Sequence, residues 1–229
     1  MTTVRTLHHF PLDPFSRQAR LGLGEKRLAY KEVVEPFWEQ RPEFMALNPS
    51  GLPPVLVEEE EGGPTIVICE NKPILDHLED LYPEAPLLAA DRGERAEARR
   101  LQQWFDRKFD FEVNSLLLHE KLEKRIMGLG SPDMRQIRLG WDALRFHFGY
   151  MEHLLDNRDW LAGRQMSMAD IAGAAHVSVI DYFGDAPWRD FPAVKTWYSK
   201  IKSRPSFRPL LHDRWRGMQP AGHYDDLDF

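Results

Sequence analysis

Among the side chains that could carry chemistry is the thiol of Cys69, the only cysteine of the chain. It follows the apolar residues 66–68 and has no partner in a Cys-x-x-Cys motif. A thiolate is a strong nucleophile, but apolar surroundings raise the pKa of a thiol and leave it protonated. We therefore interpret Cys69 as a buried, unreactive thiol, and the chain can form no internal disulfide.

Two adjacent histidines and a serine are further candidates. His8 and His9 lie in a segment with strand character, where successive side chains point to opposite faces. They cannot bind one metal ion together without further ligands, and we expect no metal site. Ser16 stands where a helix is predicted to begin and could cap its first turn. Asp13 precedes Pro14 in a common turn pair.

Composition and charge exclude several classes of protein. The 229 residues are 42% hydrophobic and 29% charged, which is typical of a globular protein. The net charge of −6 is concentrated in the first 90 residues, so a general nucleic-acid-binding surface is not indicated. The chain has no apolar run of about 18 residues and no apolar stretch at its start, so we expect a cytoplasmic protein without a membrane span.

The first 83 residues show the pattern of a small mixed sheet covered by helices. Strand-like segments fall at residues 7–10, 30–34, 55–57 and 65–69, and helical ones at 16–23 and 72–81. The acidic run 58–61 precedes two glycines and a proline, so we interpret it as the loop of a hairpin. The resulting order, β-α-β-(α)-β-β-α, is typical of an α+β domain.

The rest of the chain has helical periodicity. Residues 84–92 read as a linker, 93–215 as an all-helical domain and 216–229 as an acidic tail. Ser167 and Asp170 form a predicted capping box at the start of a buried helix. Two apolar stripes, interpreted as core faces of long helices, are Leu101, Trp104, Phe105, Phe109, Val113, Leu116 and Leu117, and then Trp141, Leu144, Phe148, Met151 and Leu155.

Four segments, in order and at matching spacing, resemble the glutathione-transferase superfamily. They are N-P-S-G-L-P-P-V-L at 48–56, E-N-K-P-I-L at 70–75, W-L-A-G and S-M-A-D within 160–170, and the spaced F-P, W, I and R-P-S-F of 191–207. The resemblance spans residues 5–212. It implies a thioredoxin-like N-terminal domain (βαβαββα) and an all-helical C-terminal domain. It also implies a glutathione site on the first domain, a hydrophobic substrate site between the domains and often a homodimer.

The resemblance also assigns a catalytic position. Serine-type members of the superfamily hold the glutathione thiolate with a serine hydroxyl that donates a hydrogen bond to sulfur. The matching position here is Asp13, and an ionised carboxylate cannot donate. It would also repel a thiolate and raise its pKa. Ser16 could replace the hydroxyl only if the loop shifted.

Two other positions of the implied glutathione site are altered or ambiguous. Pro53 precedes Pro54, which is cis in that fold, and in the family the residue before this proline binds glutathione through its backbone. Because proline has no N–H, a ligand acceptor would stay unpaired at a cost of about 1–3 kcal/mol. Alternatively, the two prolines simply stiffen the loop. Asn71, after Glu70, could bind the γ-glutamyl carboxylate or cap a helix with no ligand. We expect no required cofactor.

Three features favour a partner-binding role. Phe37 and Trp38 lie in the irregular region that covers the glutathione site and could anchor a partner, line a pocket or pack on their own domain. The basic stretch 204–216 could contact a partner or be a solvated face. The tail could be a frayed terminus or a segment that docks on a basic groove. Its residues of interest are Tyr224, Asp225, Asp226, Leu227, Asp228 and Phe229.

These features together resemble one branch of the superfamily, the FzlA-type division factors of alphaproteobacteria. That branch implies a cytoplasmic dimer that binds the tubulin-like protein FtsZ and shapes its filaments without conjugating glutathione. Our leading hypothesis is therefore a non-catalytic adaptor in cell division. The alternatives are a transferase that conjugates glutathione to small hydrophobic electrophiles, and a regulator that binds glutathione without catalysis.

Overall fold

The computed structural model describes residues 3–227, which fold as two units. The N-terminal unit contains the chain up to Pro86 together with the segment Pro205–Gly217. The helical unit contains Leu87–Arg204 and the chain from Met218 onward. This division differs from the boundaries expected above, because the segment Pro205–Gly217, expected mostly in the helical domain, belongs to the N-terminal unit.

The N-terminal unit has the thioredoxin-like order that the sequence indicates. Its elements are β1 (Thr3–His9), α1 (Pro14–Glu25), β2 (Lys31–Val34), a 3-10 helix (Phe37–Glu39), α2 (Pro42–Leu47), β3 (Val55–Glu60), β4 (Thr65–Cys69) and α3 (Asn71–Leu81). The four strands form one mixed sheet in the order β2-β1-β3-β4. β1 is parallel to β2 and antiparallel to β3, and β4 is antiparallel to β3.

One face of this sheet packs on α1 and α3. The buried core consists of Leu7, Ala19, Leu23, Leu56, Ile74 and Leu78. The two helices approach closely at Gly22, where a Cβ atom would stand 2.3 Å from Cδ2 of Leu75. A side chain at this position would have to displace the Leu75 methyl group, so glycine lets the two helices pack closely here.

Helices are the regular elements of the described part of the helical unit, apart from an isolated β-bridge between Trp160 and Gly163. They are α4 (Arg92–Gln103), a π-helical stretch (Trp104–Asn114), α5 (Ser115–Leu118), a second π-helical stretch (His119–Glu123), α6 (Lys124–Met127), α7 (Met134–Leu155), α8 (Met168–Tyr182) and α9 (Pro192–Lys202). The short α10 (Arg208–Leu211) follows in the segment that joins the N-terminal unit. No helix among residues 3–227 is long and apolar enough to cross a membrane.

The capping box and most of the helical stripes are confirmed. Ser167 caps α8, and the Asp170 carboxylate accepts a hydrogen bond from the Ser167 N–H at 2.8 Å. The prediction was wrong for Trp141, which is 36% exposed. Its indole N–H donates to Asp185 at 2.8 Å, and the Lys121 ammonium lies 5.5 Å from its ring centroid. An aromatic ring with these polar partners is stable at the surface of a helix.

The acidic run is a strand rather than a loop. Glu58, Glu59 and Glu60 complete β3, and only Glu61 lies beyond it. Glu58 points inward at 3% exposure, and its carboxylate accepts a hydrogen bond from Arg5 at 2.7 Å. Sequence periodicity could not show this, because the partner that allows the charge to be buried lies on another strand.

Candidate functional site

The start of α1 holds the position that the family resemblance assigns to the catalytic hydroxyl. Helix α1 begins at Pro14 with Asp13 as its cap, two residues before the predicted start. The Asp13 carboxylate accepts hydrogen bonds from the backbone N–H of Ser16 at 2.7 Å and of Phe15 at 3.4 Å. An aspartate cap followed by a proline is a favoured helix start. The structure therefore places an engaged acceptor at this position.

The Ser16 hydroxyl lies in the core. Ser16 is fully buried, and its Oγ accepts a hydrogen bond from the Phe10 N–H at 3.1 Å. It is the third residue of α1 and not the helix cap, which corrects the capping role considered for it above. A ligand sulfur could reach this hydroxyl only if the backbone of the loop before α1 moved.

The loop before β3 and the start of α3 form the second part of the expected site. The peptide bond between Pro53 and Pro54 is cis, as the resemblance implies. Glu70 is the cap residue of α3 and has a φ of 72°, and its N–H donates to the Pro54 carbonyl at 2.9 Å. Asn71 is the first residue of α3 rather than its cap, and its amide donates to Gln18 at 2.9 Å. The Asn71 amide is thus used in packing α3 against α1.

Cys69, at the end of β4, is half-buried rather than buried as the sequence predicts, because β4 exposes its first three residues and only partly covers the last two. Its thiol donates to the Leu47 carbonyl at 3.5 Å. Burial raises the pKa of this thiol, and the nearby Glu70 carboxylate raises it further. Both effects reduce the thiolate fraction at neutral pH, so the geometry favours the unreactive thiol inferred from the sequence.

Four aromatic rings form a cluster beside Asp13, and we call Phe10, Phe37, Trp38 and Trp215 the aromatic cluster. Phe10 is 2% exposed and lies at its base, while the other three rings are half-buried. Ring centroids are 5.6 Å apart for Phe10 and Trp38, 4.8 Å for Phe10 and Trp215, and 5.8 Å for Trp38 and Trp215, all edge to face. Such rings are worth about 0.5–1.5 kcal/mol per pair beyond their buried area. Trp38 thus packs on its own unit and still presents part of its ring to solvent.

An ion pair closes the base of the loop that carries Trp38. The fully buried Glu35 carboxylate accepts two hydrogen bonds from the Arg41 guanidinium, at 2.5 and 3.1 Å. Between them, Gln40 has a φ of 48° and its side chain donates to the Phe37 carbonyl at 2.8 Å. A two-pronged ion pair of this type fixes geometry as well as charge. The loop that carries Phe37 and Trp38 is therefore fixed at both ends by the ion pair of Glu35 and Arg41.

A buried carboxylate fastens the segment that carries Trp215. Asp213 Oδ2 lies 3.2 Å from Arg17 Nη2 and 2.7 Å from Arg20 Nη1. The side chains of Arg17 and Arg20 are 0% and 2% exposed, and that of Asp213 is 8% exposed. Burial opposes the charge of Arg20, but Asp213 and then Glu32 outweigh it and raise its pKa. Two buried cations thus share the Asp213 carboxylate, which lies two residues before Trp215, and Arg20 also pairs with Glu32 at 3.0 Å.

His9 borders this charged group in a neutral state. It is 1% exposed, and neither ring nitrogen has a hydrogen-bond partner among the described residues. Burial lowers the pKa of His9 to about 3, and the positive charges of Arg20 and Arg17 add to the effect. The Glu32 carboxylate is 3.6 Å away, beyond hydrogen-bond distance.

The tail packs on the helical unit. Tyr224 is fully buried, Asp225 and Asp226 are exposed, and Leu227 is half-buried. The predicted contacts at Asp228 and Phe229 lie outside the described residues. In the basic stretch, Arg208, Arg214 and Arg216 are exposed, whereas Asp213 and Trp215 contact Arg17 and Phe10 within the N-terminal unit. Tyr224 is thus a core residue, and the exposed carboxylates after it are the part of the tail that a partner could reach.

Sequence reasoning missed Asp213 and Trp215. The available signal was the spacing of Arg17 and Arg20, since two cations one turn apart on a buried helix face require an acidic partner. The position of that partner, 196 residues after Arg17, could not be read from local pattern.

The Asp213 ion pair gives a first prediction. Replacement of Asp213 by Asn should lower the free energy of unfolding by about 3 kcal/mol, because the buried guanidinium groups of Arg17 and Arg20 lose the carboxylate that they share. Asp190→Asn is the matched control, since Asp190 pairs with Arg145 at 50% and 54% exposure and should contribute less than about 1 kcal/mol. Urea denaturation followed by circular dichroism measures both, and equal effects would contradict the assignment.

His9 gives a prediction for pH dependence. Its pKa is near 3 in the folded chain and 6.5 in the unfolded chain, so below pH 6.5 the unfolded chain binds a proton that the folded chain does not. Stability is therefore lost as the pH falls from 6.5 towards 3, by up to about 1.4 kcal/mol per pH unit. When the pH is lowered from 7 to 5, the free energy of unfolding of the His9→Leu variant should fall by about 2 kcal/mol less than that of wild type. Urea titrations of both proteins at the two pH values test this. If wild type and the variant lose the same free energy of unfolding, His9 is not the group responsible.

Comparison with known proteins agrees with this geometry. Residues 7–86 match the family model of the glutathione S-transferase N-terminal domain, and residues 141–214 match that of the C-terminal domain. FtsZ-localized protein A of Caulobacter vibrioides is 64% identical over the whole of both chains. The solved structure of FzlA from C. crescentus is 65% identical with a TM-score of 0.97, over 99% of this chain and 100% of that one. A glutathione S-transferase structure from Rhodospirillum rubrum is 48% identical with a TM-score of 0.94, also over 99% and 100%. The chain therefore belongs to the glutathione S-transferase family.

Proposed function

We propose that this protein is a non-catalytic adaptor of the glutathione S-transferase family that binds FtsZ filaments and acts in cell division. The observation that carries the proposal is the Asp13 carboxylate, an acceptor where conjugation needs a hydroxyl donor. The similarity to FtsZ-localized protein A names the partner. In this proposal each unit contributes its own contact surface: the exposed part of the aromatic cluster around Trp38 on the N-terminal unit, and the acidic tail on the helical unit.

The chemistry of the two surfaces supports partner binding. Partly exposed tryptophans in rigid settings are common anchors of protein interfaces, because little conformational entropy is lost when they are buried. Trp38 is held by its ring neighbours and by the ion pair at the base of its loop. Asp225 and Asp226 add exposed negative charge, which fits a basic surface on the filament.

We also propose that the protein is a cytoplasmic homodimer. Exposed apolar side chains occur in both units: Val67 on β4 is 40% exposed, and Phe111 and Phe146 in the helical unit are 75% and 60% exposed. A contiguous exposed apolar patch marks a protein contact, and these side chains are the candidates that a dimer contact would cover. Light scattering at micromolar concentration should give twice the chain mass of 26.7 kDa, and a monomer mass would refute the dimer.

The absence of glutathione chemistry is tested directly. Calorimetric titration with glutathione at millimolar concentration should give no saturating heat, because Asp13 repels a thiolate and Pro53 offers no N–H. A conjugation assay with a generic aromatic electrophile should show no rate above the uncatalysed reaction. An active transferase of the same family is the control for both assays. Sub-millimolar binding with turnover would favour the transferase alternative.

Binding to FtsZ is tested by co-sedimentation with polymerised FtsZ. The intact chain should pellet with the polymer, and Trp38→Ala should weaken the affinity by about 10- to 30-fold if Trp38 is an anchor. Trp141→Ala is the matched control, because Trp141 is an exposed tryptophan of the helical unit and should leave the affinity unchanged. Equal affinity of the Trp38 variant and wild type would remove Trp38 from the contact, and failure of wild type to pellet would refute the proposal as a whole.

A further inference from the structure

The last turn of α8 carries a buried carboxylate on which four donors converge. Asp181 is fully buried. Its oxygens accept hydrogen bonds from the Trp188 indole at 2.9 Å and the Tyr198 hydroxyl at 3.2 Å. The Lys202 ammonium lies 3.5 Å away, with both side chains 0% exposed, and Nε2 of His223 lies 2.8 Å away. His223 belongs to the tail, so the carboxylate ties the tail to α8 and α9.

The tail is joined to the same helices by further contacts. The Ala221 N–H donates to the Tyr182 carbonyl, and the Tyr182 hydroxyl donates to the Met218 carbonyl, both at 2.8 Å. The buried Tyr224 ring meets that of Tyr182 edge to face at 5.2 Å. The Lys202 ammonium lies 5.6 Å from the Tyr224 ring centroid and 3.4 Å from the His223 carbonyl.

These contacts bring the exposed acidic residues to a defined place. Asp225 and Asp226 directly follow the buried Tyr224, and the Asp226 N–H donates to the His223 carbonyl at 3.1 Å. Burial lowers the pKa of Lys202, while the carboxylates of Asp181, Asp226 and Asp225 act in the opposite direction. The acidic residues therefore lie within electrostatic reach of a lysine whose position is fixed by the core.

We propose that Asp181, Lys202 and His223 are positioning residues that hold Asp225, Asp226 and Leu227 as a preformed docking edge in the free protein. The inference rests on the proposed function, because it explains how the tail presents its charge to FtsZ. A segment that is already ordered loses less conformational entropy on binding than a flexible peptide. The tail in this proposal is a fixed part of the helical unit, not a chain that folds when the partner arrives.

The first test measures order in the free, full-length protein. Hydrogen–deuterium exchange should show protected amides in the peptide that covers residues 218–226. His223→Ala removes one donor to Asp181 and should speed exchange in that peptide by about tenfold or more. His223→Gln keeps an N–H donor and should restore most of the protection. His153→Ala, at an exposed histidine of α7, is the matched control and should change nothing. Unprotected amides in the wild-type peptide would overturn the inference, independently of the affinity measured for FtsZ.

The second test measures affinity for polymerised FtsZ with the same proteins. His223→Ala should bind about tenfold more weakly, His223→Gln should recover, and wild type and His153→Ala should be equal. The Asp225→Asn, Asp226→Asn double variant should bind weakly, and its exchange should change far less than that of His223→Ala, since it keeps the contacts among Asp181, Lys202 and His223. A loosened tail in His223→Ala with unchanged affinity would overturn the positioning role and leave the proposed function standing. Unchanged affinity in both the His223→Ala and the double variant would refute docking by the tail, and the inference with it.

Discussion

The N-terminal unit depends on the carboxylate of Asp213, which pairs with two arginines in its interior. Arg17 and Arg20 lie on α1, the helix that also carries the Asp13 cap and packs on α3 at Gly22. Two guanidinium groups in a core would be strongly destabilising without a counter-charge. The same contact brings Trp215 to Phe10 and Trp38. The two ion pairs of Asp213 thus contribute both to the stability of the unit and to the placement of Trp215 in its candidate binding surface.

The proposed loss of conjugation follows from local structure as much as from residue type. Asp13 is an acceptor by its chemistry, and its two backbone donors belong to the first turn of α1. The nearby hydroxyl of Ser16 is turned into the core, where it accepts from Phe10. A single substitution at either position would therefore not be enough to rebuild a thiolate site, since Pro53 also lacks the backbone donor that the ligand would need.

The parts of the fold that could be predicted from sequence are those in which the secondary structure is determined by residues close together along the chain. The bounds of β4 and the capping box of α8 depend on alternation and on residues three apart, and both were predicted correctly. The burial of Glu58, the exposure of Trp141 and the placement of Trp215 depend on partners elsewhere in the chain. Arg5, Asp185 and Asp213 supply those partners, and no local period reports them.

The course of the chain limits how the protein can be divided. The sequence pattern predicts that the chain could be divided at the linker to give residues 1–83 as a separate domain. Such a fragment would lack Asp213 and Trp215, and so would lose the carboxylate shared by two buried arginines and one ring of the aromatic cluster. A graft of this thioredoxin-like unit onto another protein would therefore need two separate segments of the chain, the first ending at Pro86 and the second being Pro205–Gly217.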